Sequence, residues 1–78
     1  MLYVREISDL MAAYPGRGFK MQEIVRYVAG GRRLDGRARY ALHKSTLRAL
    51  VALQEAGVVL VRPPRAARGG FALYRWLA

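Results

Sequence analysis

Most of the charged side chains in this sequence are cations, and they fall in clusters. Arg32, Arg33, Arg37 and Arg39 form one cluster; Lys44 and Arg48, flanked by His43, Ser45 and Thr46, form a second; Arg62, Arg65 and Arg68 form a third. Lys20 stands alone further upstream. Guanidinium and ammonium groups do not break bonds by themselves; they hold phosphate and carboxylate. Lys and Arg total 14 against 5 Asp and Glu, a net charge of +9 over 78 residues, and such a field concentrates polyanions, chiefly nucleic acid. Arginine's planar fork can meet guanine O6 and N7 bidentately and can enter a narrow minor groove. Ser45 and Thr46 can donate to phosphate, His43 and Tyr40 can reach sugar or bases, and an ordinary surface histidine and a core-anchoring tyrosine are equally good readings of those two.

The chemistry of catalysis is missing. There is 1 His and no Cys, and Glu6, Asp9 and Glu23 fit solvated helix faces. No nucleophile is paired with a base, and no zincin, phosphate-loop or dinucleotide-loop motif occurs. His43 has no nearby ligands in sequence, so no metal site is expected. The expectation is a binding protein, not an enzyme, with no cofactor, no metal and no small-molecule ligand in evidence. The apolar runs are too short to span a bilayer, and Arg5, Glu6 and Asp9 interrupt any secretory pattern at the start. The compartment expected is cytoplasmic, or nucleoid-associated in a prokaryote.

The elements that must position these cations follow from periodicity. Val4, Ile7, Leu10, Met11 and Tyr14 recur at helical spacing over residues 2–14, and Pro15-Gly16 ends that helix. Gly16-Arg17-Gly18 is a turn, after which Phe19 tucks onto the core. Met21, Ile24, Val25 and Val28 define a second helix over 20–29, closed by Gly30-Gly31, with Lys20 and Gln22 at the end where helices meet phosphate. Residues 44–56 are the third helix: Ser45 suits the N-cap, Leu47, Leu50 and Val51 make the apolar face, and Gly57 suits the stop. Its outward side carries His43, Lys44, Thr46 and Arg48, then Ala49 and Ala52, which are small enough for close approach to a groove.

Between the second and third helices, residues 30–42 are read as an extended basic loop or a short extra turn, anchored by Leu34, Tyr40 and Leu42. The other possibility is that the third helix starts early, near Asp35, itself a plausible N-cap. Residues 58–62 and 71–77 then form a hairpin around the basic loop Pro63-Pro64-Arg65-Ala66-Ala67-Arg68-Gly69-Gly70. On the return strand Phe71, Leu73 and Arg75 share one face, and Ala72, Tyr74 and Trp76 share the other. Tyr74 and Trp76 either meet a partner or cap the core against the first helix, and both readings stay open.

The run His43 to Val61, a helix with a Leu-x-x-Leu-x-x-Leu pattern ending in Glu-Ala-Gly-Val and feeding a strand, is followed by the basic glycine-containing loop and a second strand. This resembles a winged helix-turn-helix domain, over nearly the whole chain. The resemblance implies an α+β fold with three helices followed by a C-terminal two-stranded β-hairpin, residues 1–78 forming one domain. It also implies duplex DNA binding by a small dimeric transcriptional regulator, with the third helix in the major groove and the wing, residues 62–70, on the minor groove or backbone. Helix 1 and the strand bearing Tyr74 and Trp76 are the candidate dimer interface. The long arginine-rich connection departs from that family's pattern, whose turn takes about three or four residues. Three other readings remain: a non-specific architectural DNA binder, an RNA- or ribosome-associated basic protein, and a protein–protein adaptor.

Overall fold

A computed structural model describes residues 2–62 and 72–77. In chain order these form α1 (Val4–Ala12), β1 (Gly18–Lys20), α2 (Met21–Ala29), α3 (Gly36–Glu55), β2 (Val59–Arg62) and β3 (Leu73–Trp76). Three helices therefore cover a three-stranded antiparallel sheet of order β1-β3-β2.

The first two helices form where the apolar spacing predicts them. Ile7 and Met11 of α1 and Ile24 and Val28 of α2 are buried, while Val4, Leu10, Met21 and Val25 pack at the core's edge. Glu23 accepts from the Lys20 backbone N–H at 2.8 Å, satisfying one of the orphan donors at the start of α2. Gly30, at φ 63°, closes α2 in the left-handed conformation that glycine adopts cheaply.

The third helix begins eight residues earlier than position 44, at Gly36, and runs for 20 residues. Asp35 is its N-cap: the carboxylate accepts from the Ala38 N–H at 2.8 Å. The favoured loop over 30–42 is thereby corrected to a short connection from Gly30 to Asp35, and Ser45 lies mid-helix instead of at its start. The physical reason is core anchoring. Extending the helix backward makes Leu42 its first buried residue, and Thr46, Ala49, Leu50 and Leu53 continue that stripe at spacings of four, three, one and three. The apolar face is rotated accordingly: Leu50 is buried, but Leu47 and Val51 are 38% and 43% exposed. Tyr40, at 64% exposed, anchors nothing.

The sheet holds one more strand than the expected hairpin. Gly18-Phe19-Lys20 pairs with β3 in the register Gly18 with Arg75 and Lys20 with Leu73, which drives Phe19 into the core. β2 pairs with the other edge of β3, Val59 opposite Trp76 and Arg62 opposite Leu73. Tyr74, at 8% exposed, belongs to the core, and Trp76 and Ala72 pack against it. Of the two readings for this strand, the core one describes Tyr74. Residues 63–71, with the loop cations Arg65 and Arg68, lie outside the described residues.

Candidate nucleic-acid interface

The long third helix sorts the candidate cations by angle. With about 3.6 residues per turn, Arg37, Lys44 and Arg48 fall on the side of α3 directly opposite its buried stripe, and all three are exposed. None has a carboxylate partner among the described residues. Tyr40 lies one turn before Lys44, whose Nζ sits 5.5 Å from the centre of its ring, so the phenol steadies the ammonium. Ala41, Leu47 and Val51 share this outer face. A backbone without bulk at Ala41 permits close approach, and the two aliphatic side chains give apolar contact surface of the kind a thymine methyl meets.

Arg39 and His43 point to the flank that faces α2. With Lys20 and Arg32 they line a groove of about 840 Å³ between the two helices, so four of the sequence-predicted residues meet there. Arg32 is tied down: its Nε donates to the Ala29 carbonyl at 2.7 Å and its Nη2 to the Val28 carbonyl at 3.3 Å. It thereby satisfies carbonyls that the end of α2 leaves open. Arg39 Nη2 donates to the Leu34 carbonyl at 3.4 Å, pinning the connection to α3.

The remaining candidates are dispersed. Arg33 is exposed in the connection, and Arg62 is exposed at the end of β2. Ser45 is half-buried on the side of α3. Thr46 is 0% exposed, and its hydroxyl has no hydrogen-bond partner among the described residues. It cannot donate to phosphate, which corrects its placement on the outward side. Ala49 is likewise buried, not outward. Arg26, which is not among the sequence candidates, joins the groove wall, and of the two readings of Tyr40 the structure gives an exposed ring on the outer face instead of a core anchor. An early α3 start at Asp35 is the signal that would have found Tyr40.

Among the described residues an ion pair joins β1 and α2: Glu23 Oε2 lies 3.4 Å from Nη2 of Arg17, just before β1, and Arg17 also stacks 4.5 Å from the centre of the Phe19 ring. Among the described residues no three His, Asp or Glu side chains gather as metal ligands, and no helix is long and apolar enough to cross a membrane. Comparison with protein-family models, with curated proteins and with solved structures returns no match to this chain.

Proposed function

We propose that this protein is a winged helix-turn-helix duplex DNA-binding protein acting in transcriptional regulation. The observation that carries the reading is the outer face of α3, where Arg37, Lys44 and Arg48 stand exposed and without carboxylate partners among the described residues, along a helix long enough to follow a major groove. The arrangement of the connection adds to it: a Gly30–Asp35 link is far nearer to a helix-turn-helix turn than a thirteen-residue loop would be. In this reading the outer face of α3 enters the groove while Lys20, Arg39 and His43 on its α2 flank take the adjacent phosphates. The segment between β2 and β3, with Arg65 and Arg68 in its sequence, is the wing. A homodimer would read two half-sites one helical turn apart. Tyr74 is in the core and unsuited to that contact; exposed Leu2 and Leu77, beside α1 and β3, suit it better.

The test is a titration against a duplex of about 30 base pairs and against single-stranded RNA of the same length, over a range of salt. Duplex preference is expected, with log K falling linearly against log salt. Lys44→Ala and Arg48→Ala should each lower that slope by about 0.9, one phosphate contact apiece. Preference for RNA, or no binding to either at low salt, would refute the proposal.

A further inference from the structure

The groove between α2 and α3 has a chemistry that phosphate contacts alone do not require. Its floor is apolar, made by Met21, Val25 and Ala29 along α2 with Leu34 and Leu42 opposite, all but Leu42 only half-buried. Its rim carries cations on both walls, and among the described residues no carboxylate lines it. About 840 Å³ is within the range of small-molecule sites, and a duplex backbone would leave such a floor uncovered. The cations are also unevenly prepared. Arg32 and Arg39 are held in place at the end of the groove nearest the Gly30–Asp35 connection by their bonds to the Ala29, Val28 and Leu34 carbonyls. Each guanidinium carries five N–H donors and keeps some unspent.

From this we infer that the groove binds a small amphipathic carboxylate: the head taken by Arg32 and Arg39, the aliphatic tail laid over Ala29, Val25 and Met21. Charge complementarity selects an anion, since the charged groups of the rim are Lys20, Arg26, Arg32 and Arg39, with Gln22 and His43 beside them. Guanidiniums held beforehand lose little freedom when a carboxylate arrives, and they can accept it bidentately. The α2 stretch from Met21 to Ala29 is about 12 Å long at 1.5 Å per residue, which suits an acyl chain of medium length. The inference stands apart from the duplex reading, because it needs only the groove. The two would interact through Arg39, whose charge both ligands would use.

The experiment uses decanoate as the probe, decanol as its uncharged counterpart and inorganic phosphate as the head without the tail. Each is titrated into the full-length protein, followed by calorimetry and by amide chemical shifts. Saturable binding of one decanoate is expected, with shifts concentrated in Met21, Val25, Ala29 and Leu34. Decanol and phosphate should each bind about tenfold more weakly or worse, the loss of a charge-assisted hydrogen bond or of the apolar contact. Ala29→Phe, which fills the floor, and the surface double variant Arg32→Gln/Arg39→Gln should each weaken decanoate by a similar factor, with circular dichroism confirming a folded chain. Should one variant fail to fold, the other still decides. Decanol binding as tightly as decanoate, shifts spread over the whole surface, binding unchanged in a folded variant, or no saturation below about 1 mM would overturn the inference. So would groove shifts produced by an acidic amphipathic peptide and not by decanoate, which would make the groove a protein-docking site.

Discussion

Thr46 offers the sharpest test of where α3 sits. Its side chain is fully buried between Leu42 and Leu50 on the inner stripe, and its hydroxyl has no hydrogen-bond partner among the described residues. A buried hydroxyl left unpaired costs about 1–3 kcal/mol in lost hydration. Thr46→Val keeps the shape, removes that oxygen and replaces it with a methyl group. Helix propensities of Thr and Val are close, so the backbone contributes little to the difference. The substitution should therefore stabilise the fold by about 1–2 kcal/mol. For a chain of this size each kcal/mol moves Tm by about 4–8 °C, so a rise near 10 °C is expected. Thr46→Ala also deletes a packed methyl group, and that cavity offsets the gain, leaving it about 1 kcal/mol below Thr46→Val. Denaturant melts followed by far-UV circular dichroism would read both, with an unchanged m-value marking a pure stability change. The same variants are then titrated with duplex. A Thr46→Val protein that is destabilised by 1 kcal/mol or more would refute the reasoning. A severalfold loss of duplex affinity would do so as well, because it would put Thr46 on the outer face.

Two further perturbations follow. Asp35→Ala should destabilise the protein by about 1 kcal/mol through loss of the cap on Ala38, while Ser45→Ala should stay within about 0.5 kcal/mol; equal and opposite results in a melt would mean that α3 starts at Ser45. Burial raises the Tyr74 phenol above its usual value of 10.0. The folded state then holds that proton more tightly than the unfolded chain, so the contribution is complete below about pH 10 and is lost as pH rises through the folded value. Stability measured on the alkaline side should fall more steeply in the natural chain than in Tyr74→Phe, and parallel curves would contradict the burial.

How much of this was legible in the sequence depends on whether the deciding contact was local. α1 and α2 could be read from their apolar spacing and from Pro15-Gly16 and Gly30-Gly31, because those signals lie within the element they bound. The start of α3 could not. Asp35 and Ser45 are both acceptable caps, and the choice between them is made by Leu42 reaching the core, a tertiary event. A polar Thr46 inside the stripe and aliphatic Leu47 and Val51 outside it then turned the expected face by part of a turn. β1 is three residues without periodicity and exists because β3 offers it an edge. The cations of α3 were legible as a cluster, but their division between outer face and groove was not, since it depends on how α2 packs. Arg26 reads as a solvated charge until that packing brings it to the groove.

The first two turns of α3, Gly36 to Ala41, hold no fully buried residue, yet they carry Arg37 and Arg39 where the helix dipole is already positive. No carboxylate follows on the helix until Glu55. The free chain is thus frustrated at this end: what recommends these residues to a polyanion also works against the helix that displays them. Removing Arg37 should firm the unliganded protein while weakening its grip on any polyanion. Part of any affinity measured for such a ligand is accordingly relief from self-repulsion inside the protein, and not only attraction between two molecules.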